Sequence, residues 1–202
     1  MAKLNFKYST MNAGKTLDLI RTVYNYDENG YKVLVLKPKI DTKGEDYIVS
    51  RVGVSRKVDY LIDKEDSIVD LIKKDLGDTK SIFVDEAQFL TKEQIDELFL
   101  ISKVFDKDVI CYGLRLNFKM DAFEGSKRLL EISEELEELK TICHCGNIAR
   151  YVGRKVNGDY VSDGNEVVID GTDNVEYIPL CGDCYLKEVK GVDYKKIKKL
   201  KI

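Results

Sequence analysis

Proline is scarce in this 202-residue sequence, which contains only two, and no tract is rich in glutamine or serine. This composition argues against long disordered segments. No apolar run approaches the roughly 20 residues that a membrane-spanning helix requires. The first residues of the chain contain no apolar segment of the kind found in secretion signals. We therefore expect a globular, cytoplasmic protein without a membrane partner.

An excess of basic charge is also missing. Lys and Arg number 33 against 36 Asp and Glu, which gives a formal net charge of −3. Proteins that grip duplex nucleic acid need a basic face, so we expect no nucleic-acid partner. The 44% of hydrophobic residues is enough to fill a sizeable core. The length suits one domain with a small appendage.

Apolar residues up to about position 140 alternate between short β-type runs and helical spacings, which predicts a parallel sheet with crossover helices. The predicted strands are residues 4–8, 32–36, 81–84 and 109–113. Thr91 and Gln94 form a predicted capping box at the start of one helix. The polar residues 40–57 predict a long mobile loop. A last helix is predicted from the spacing of Leu129, Ile132, Leu136 and Leu139.

Residues 9–16 (STMNAGKT) follow the first predicted strand and lead into a helix. Apart from Ser9 in place of the first glycine, they match the phosphate-binding pattern G-x-x-x-x-G-K-[ST]. Backbone N–H groups and the helix N-terminus of such a loop surround an anion, Lys15 would reach the β- and γ-phosphates, and the Thr16 hydroxyl would ligate Mg²⁺. The alternative is a Gly-Lys-Thr turn that merely caps a helix. The candidate ATP-binding residues here are Ser9, Thr10, Met11, Asn12, Ala13, Gly14, Lys15 and Thr16.

The strand predicted at residues 81–84 runs into Asp85 and Glu86, the position at which P-loop enzymes carry an acidic Mg²⁺ ligand. Asp85 would hold Mg²⁺ directly or through water, and Glu86 is placed to accept a proton from an attacking hydroxyl or water. A pair of surface acids at a strand end is the alternative, but the phosphate loop favours the functional interpretation. The fold class predicted is therefore α/β, with a P-loop (RecA-like) parallel sheet and flanking helices.

Four of the five cysteines form two close pairs, Cys143-x-Cys145 and Cys181-x-x-Cys184. Without a secretion signal, such clustering favours a metal over disulfides. Four thiolates predict a structural, tetrahedral Zn²⁺ site, because a closed set leaves no open position for catalysis. His144 is an alternative ligand, although adjacent residues rarely both reach one ion. We expect a nucleotide-binding core at 1–140, a small C-terminal zinc-binding lobe at 141–192 and a basic tail at 193–202.

The order of these motifs resembles the cellular (type II) thymidine kinase family over nearly the whole chain. The motifs that carry the resemblance are YSTMNAGKT at 8–16, KP at 37–38, DT at 41–42, VDEAQF at 84–89, YGLR at 112–115, CHCG at 143–146, YIPLC at 177–181 and CY at 184–185, together with Phe118, Phe123 and Gly125. Ser9 and the short C-x-C pair match a bacterial branch of that family.

The resemblance implies ATP-dependent phosphorylation of the 5′-hydroxyl of thymidine and deoxyuridine, with Mg²⁺ accompanying ATP and Zn²⁺ as a structural ion. It also implies a homotetramer that dTTP inhibits as the end product. Glu86 corresponds to the catalytic base, and Asp85, Glu86, Ala87 and Gln88 to a second ATP-binding segment. A loop of the C-terminal lobe, called the lasso, would close over the nucleoside. The implied substrate-binding residues are Met11, Phe89, Leu114, Phe118, Val168, Ile169 and Tyr177.

A competing class is a P-loop ATPase whose zinc lobe binds nucleic acid. The acidic isoelectric point and the lack of a basic, aromatic-rich strip at 143–190 argue against it. Arg51 and Arg56 are candidates for stabilising charge on the transferred phosphoryl group, although loop arginines are commonly just solvated. The lysine-rich residues 195–201 predict a solvated tail.

Overall fold

A six-stranded parallel sheet organises the larger part of the chain in a computed structural model that describes residues 1–164 and 174–192. Its elements, in chain order, are β1 (Leu4–Ser9), α1 (Lys15–Glu28), β2 (Val33–Pro38), β3 (Tyr47–Val49), β4 (Ser55–Lys57), β5 (Tyr60–Ile62), α2 (Ile68–Ile72), β6 (Ser81–Val84), a 3₁₀ turn (Ala87–Phe89), α3 (Lys92–Val104), β7 (Asp108–Leu114), α4 (Glu124–Ile132) and β8 (Glu135–Glu138).

The strand order is β5-β2-β6-β7-β1-β8. Because the strands are parallel, the segments that follow β1 and β6 leave the sheet at the same edge, the carboxyl ends of the strands. The phosphate loop follows β1 and the acidic pair follows β6, so the sheet positions both candidate segments. The predicted α/β fold with a parallel sheet is confirmed.

The strands β2 and β6 are buried on both faces, as is typical of parallel sheets between helices, whereas β8 at the edge is largely exposed. Alternate residues of β2, β6 and β7 supply the two cores, since successive side chains point to opposite faces. Leu34 and Leu36 pack with α2, α3 and α4 on one face, whereas Val33 and Val35 pack with α1 on the other. The predicted capping box of α3 is present, with the Thr91 side chain accepting from the Gln94 backbone N–H.

The structure overturns the helix predicted through Leu136 and Leu139. The helix α4 ends at Ile132 because Ser133 adopts an extended backbone. The following residues form β8, in which Leu136 pairs with Phe6 of β1. The spacing of the leucines resembles a helix, but the hydrogen bonds of a neighbouring strand decide the conformation.

The segment at 40–57, expected as a loop, contains the antiparallel pair β3 and β4. Ile48 is buried in the core on the α1 face of the sheet and supports this hairpin. A buried lysine, Lys37, holds the residues that lead into the hairpin. Its ammonium contacts Asp41 Oδ2 at 3.0 Å and the backbone oxygens of Lys43, Glu45 and Tyr47.

A second unit comprises residues 9–13, 116–122 and the chain from Lys140 onward, whereas the first contains 1–8, 14–115 and 123–139. The elements of the second unit are β9 (Thr141–Ile142), β10 (Ile148–Ala149), β11 (Tyr151–Val156), β12 (Asp159–Val161), β13 (Val175–Leu180), α5 (Gly182–Cys184) and a π-helical turn (Tyr185–Val189). Strands β12, β11 and β13 form an antiparallel sheet. The helices of the described residues include none that is long and apolar enough to span a membrane.

Candidate active site and metal centre

The phosphate loop turns through left-handed backbone at Asn12 (φ 64°) and at Gly14 (φ 76°). Gly14 is the N-cap of α1, and no side chain caps the first turn of this helix. The Gly14 N-cap therefore contributes no side chain that would occupy the N–H groups of this turn, the groups with which helix N-termini bind anions. Ser9 has no positive φ, so this position does not require the glycine of the general pattern.

The first half of the loop is held within the second unit. The Thr10 hydroxyl donates to the backbone oxygen of Tyr151 at 3.0 Å, and the Thr141 hydroxyl donates to that of Asn12 at 3.2 Å. These contacts restrain the backbone that precedes Gly14.

At the other half of the loop, the Thr16 hydroxyl donates to Asp85 Oδ2 at 3.0 Å. A hydroxyl and a carboxylate oxygen are ligands that Mg²⁺ prefers, and P-loop enzymes use this pair together. The two predicted Mg²⁺ ligands, which lie 69 positions apart in the chain, are thus brought into direct contact at the carboxyl edge of the sheet, although β7 separates β1 from β6.

Charge is concentrated and poorly solvated at this point. Burial raises the pKa of Asp85 to about 7, and the negative charge of Glu86 adds to the rise, while Thr16 and Lys15 oppose it. Burial also lowers the pKa of Lys15, against the opposing effect of Glu86 and Asp85, and the charge of Arg51 lowers it further. A divalent cation bound here would reverse the shift at Asp85, because it stabilises the charged carboxylate.

Glu86 adopts a left-handed backbone (φ 49°), which is uncommon for a residue with a side chain and clusters at functional sites. Its carboxylate accepts a hydrogen bond of 2.5 Å from Gln88 Nε2. The other end of the Gln88 amide accepts from the Leu114 backbone N–H at 3.0 Å. This N–H is an obligatory donor, so it determines which end of the amide faces Glu86. Gln88 was predicted as an ATP-binding residue, and the structure gives it a contact with the candidate base.

The two candidate arginines have different surroundings. Arg56 pairs with Asp27 in the last turn of α1, about 18 Å along the helix from Lys15 at 1.5 Å per residue. Arg51 lies in the turn between β3 and β4, and its charge acts on Lys15. These positions favour Arg51 over Arg56 as a cation near the phosphate loop.

The predicted nucleoside-binding residues divide between the two units. In the first unit, Phe89 packs edge-on against Phe123 with ring centroids 5.7 Å apart, and Leu114 is half-buried at the end of β7. Met11, Phe118 and Tyr177 belong to the second unit. Val168 and Ile169 lie outside the described residues.

An arginine that the sequence analysis did not identify lies against Phe118. The Arg154 guanidinium is 3.7 Å from the centre of the Phe118 ring, and only 4% of the residue is exposed. In the register of β11 and β13, Arg154 is opposite Tyr177. The only signal in the sequence was an arginine inside a β-type run, which is too common to indicate a site.

The four cysteines predicted as ligands converge in the second unit. Their sulfur atoms all lie within 4.8 Å of one another, and Cys145 Sγ is 3.5 Å from Cys181 Sγ. Tetrahedral Zn²⁺ with Zn–S bonds of about 2.3 Å requires sulfur atoms roughly 3.8 Å apart, so the cluster fits such an ion. Hydrogen bonding from the Asn147 backbone N–H, supported by the neighbouring sulfurs, lowers the pKa of Cys145 to about 6.

His144 is not part of the four-sulfur cluster. Its Nε2 pairs with Glu188 Oε1 at 3.0 Å, and about half of its side chain is exposed. Tyr185, directly after Cys184, is fully buried and packs with Cys143 and Cys181 in the core of this unit. His144 forms a separate three-residue group with Cys184 and Glu188, whereas the four cysteines are the group that offers four ligand atoms to one ion.

Comparison with known proteins gives a consistent result. The family model for thymidine kinase matches residues 2–185. The thymidine kinase of Mannheimia succiniciproducens is 44% identical over 90% of this chain and 93% of its own length. That of Pasteurella multocida is 42% identical over 94% of this chain and 99% of its own length, and that of Haemophilus influenzae is 43% identical over 90% and 94%.

Among solved structures, the Pif1 helicase of Candida albicans aligns with a TM-score of 0.41 and 15% identity, over 70% of this chain and 36% of the helicase. A similarity at this level carries no functional argument. The family match covers most of the sequence, including the phosphate loop and the four cysteines, so this chain belongs to the thymidine kinase family.

Proposed function

We propose that this protein transfers the γ-phosphoryl group of ATP to the 5′-hydroxyl of thymidine, and of deoxyuridine. Its membership of the thymidine kinase family supports the substrate. The observation that carries the chemistry is the contact between the Thr16 hydroxyl and the Asp85 carboxylate beside Lys15. A phosphate loop, an acid and a buried lysine are the groups that position a nucleoside triphosphate.

In this proposal, Lys15 and the N-terminus of α1 bind the β- and γ-phosphates, and Thr16 and Asp85 hold the Mg²⁺ that accompanies ATP. Bound Mg²⁺ supplies charge neutralisation at the phosphate oxygens. The backbone of residues 9–16 and 85–88 surrounds the triphosphate. Arg51 adds a further positive charge.

Glu86 acts as the general base in the proposed reaction. Its carboxylate takes the proton of the 5′-hydroxyl as the oxygen attacks the γ-phosphorus. Gln88 orients this carboxylate through the 2.5 Å hydrogen bond, and the uncommon left-handed backbone of Glu86 supports a functional role for this residue. The protein thus contributes positioning and proton removal.

The nucleoside base is proposed to contact Met11, Leu114 and Phe118, with Phe89 as the stacking ring and Tyr177 on the lasso. Backbone groups near Val168 and Ile169 would recognise the polar edge of the base. The dTTP molecule would inhibit by placing its base among these residues and its triphosphate in the loop at 9–16. Zn²⁺ at the four cysteines is structural, and a cytoplasmic homotetramer is the proposed assembly.

The substitution Glu86→Gln tests the central step. The amide keeps the shape and the hydrogen bonding but accepts no proton, so kcat should fall by roughly 10²–10⁴-fold while thymidine binding is retained. Glu93→Gln, an exposed acid at the start of α3, is the matched control and should leave kcat unchanged. A Glu86→Gln enzyme within a few-fold of the wild-type rate would remove Glu86 from the mechanism.

The substrate itself is tested by analysing the products after incubation with ATP, Mg²⁺ and a panel of nucleosides. Formation of thymidine monophosphate is the expected outcome. Stimulation of ATP hydrolysis by DNA with no nucleotide product would instead support a P-loop ATPase with a nucleic-acid-binding zinc lobe.

A further inference from the structure

Arg154 lies in the middle of β11 and is almost fully buried, although arginine is rarely found in that state without specific partners. Its guanidinium is 3.7 Å from the centre of the Phe118 ring, the shortest cation–ring distance among the described residues. At this distance the planar group stacks on the ring and covers one of its faces. Phe118 therefore has only its edge and its other face for further contacts.

The same guanidinium also holds the backbone where β12 ends. Arg154 Nη2 donates to the backbone oxygen of Asp163 at 2.9 Å. Gly164 lies directly beneath it, because a Cβ built on this glycine would be 2.2 Å from Nη2. The Lys119 ammonium, next to Phe118 in the chain, pairs with Asp163 Oδ1 at 2.9 Å. Two basic side chains thus connect residues 118–119 with residues 163–164.

The position of Phe118 is restrained from its backbone as well. The Tyr185 hydroxyl donates to the Phe118 backbone oxygen at 2.6 Å inside the core of the second unit. Tyr177 is opposite Arg154 in the register of the neighbouring strand, and paired residues of adjacent strands share a face of the sheet. Arg154 therefore contacts one residue proposed to bind the nucleoside and shares a face of the sheet with another.

We infer that Arg154 is a positioning residue for nucleoside binding: it fixes the ring of Phe118 and the corner at Asp163 and Gly164 as one unit. The inference rests on the proposed function, because it takes Phe118 and Tyr177 as nucleoside contacts. Glu86 and the phosphate loop, not Arg154, are proposed to contact the reacting atoms, so loss of Arg154 should change the nucleoside KM. The ATP KM and the rate of the chemical step are independent of it.

Steady-state kinetics with thymidine and ATP varied separately test this inference. Arg154→Met keeps apolar cover over the ring but loses the hydrogen bond to Asp163, and it should raise the thymidine KM by about tenfold or more. The kcat and the ATP KM should stay within about threefold. Gly164→Ala places a Cβ 2.2 Å from Nη2 on a backbone (φ 127°) that alanine rarely adopts, so it displaces the guanidinium or the corner and should give the same pattern. Arg154→Lys retains the charge without the planar stack and should recover part of the affinity.

Lys155→Met is the matched control, since the neighbouring residue of the same strand points to the opposite face and lies over Tyr160. It should leave every constant unchanged. Zinc content and melting temperature are measured for each variant, because a purely structural role would lower both together with kcat. The inference, but not the proposed function, would be overturned by either of two results. One is a wild-type thymidine KM in Arg154→Met and Gly164→Ala, and the other is an equal rise in the KM values of both substrates. A wild-type enzyme that makes no thymidine monophosphate would overturn the proposed function, and the inference with it.

Discussion

Replacing Gly125 with alanine should both destabilise the protein and disturb the residues that hold Glu86. Gly125 is the second residue of α4 and packs on the 3₁₀ turn Ala87–Phe89. A Cβ at this position would lie 2.5 Å from the backbone oxygen of Ala87, 2.7 Å from that of Leu90 and 3.1 Å from that of Gln88, whereas ordinary contact begins at 3.4 Å. Because all three atoms belong to the backbone, no side-chain rotation relieves the overlap. Either α4 or the turn must move.

The magnitude follows from two opposing effects. Overpacking a close contact costs about 1–3 kcal/mol, and the preference of a helix for alanine over glycine returns about 0.5–1 kcal/mol. We therefore expect the free energy of unfolding to fall by about 1–2 kcal/mol. The displaced turn carries Gln88, so we also expect kcat to fall roughly 10- to 100-fold, since small misplacements of catalytic groups are costly.

Urea denaturation and initial-rate measurements on the same samples check both effects. Gly77→Ala is the matched control, because this glycine has no positive φ and a Cβ would meet no atom within 4 Å. It should be neutral or stabilising by up to about 1 kcal/mol, with wild-type turnover. Wild-type stability and turnover in Gly125→Ala would refute the packing argument. Lost stability with full turnover would refute the connection to Glu86.

Two further predictions concern the zinc ion and the choice of nucleoside. Chelation should release one zinc ion per chain and unfold the second unit, since structural zinc contributes roughly 10 kcal/mol of folding energy. Metal analysis and circular dichroism on the same samples measure both effects. Folded, active protein without zinc would contradict the prediction. Competition between nucleosides should show a higher kcat/KM for thymidine and deoxyuridine than for deoxycytidine. On deoxycytidine a hydrogen-bond donor and acceptor of the base are exchanged, which leaves buried groups unpaired at a cost of about 1–3 kcal/mol each. Comparable kcat/KM values for deoxycytidine or any purine deoxynucleoside would show that the pocket assignment is wrong.

Local signals explain which parts of the fold were predictable from the sequence. The strand β6 occupies the predicted residues 81–84, and the capping box at Thr91 and Gln94 is formed as expected. Both depend on residues within a few positions of one another. The two cysteine pairs also converge, because each pair is local and a shared ion accounts for the distance between the pairs.

Features that depend on distant partners were not predictable in the same way. Leu136 was expected on a helix, but its conformation is decided by pairing with Phe6, which lies 130 positions away. The hairpin of β3 and β4 depends on burial of Ile48 against the core. The polar sequence of this segment does not predict that burial. The stack on Phe118 is what indicates a role for Arg154, and this contact is visible only in the structure. Periodicity describes one element at a time and contains no information about which elements meet.

Lys37 provides a case in which a buried charge should control one segment of the chain. Its side chain is fully buried, and its ammonium contacts the Asp41 carboxylate and three backbone oxygens. Removing one partner of a buried pair leaves the other partners desolvated and unpaired. Because the Asp41 side chain is 23% exposed, Lys37→Met should cost about 2–4 kcal/mol, somewhat less than for a fully buried pair.

The loss should be local, because the oxygen partners all lie between Asp41 and Tyr47. Hydrogen exchange should therefore accelerate at residues 41–57 and stay slow in the strands of the central sheet. Arg51 is carried by the same segment and its charge acts on Lys15, so the ATP KM should rise several-fold. Lys39→Met, whose partner Asp63 is exposed, is the matched control and should change stability by less than about 0.5 kcal/mol. Unchanged exchange at 41–57 in Lys37→Met would show that the hairpin is held by Ile48 and its hydrogen bonds alone.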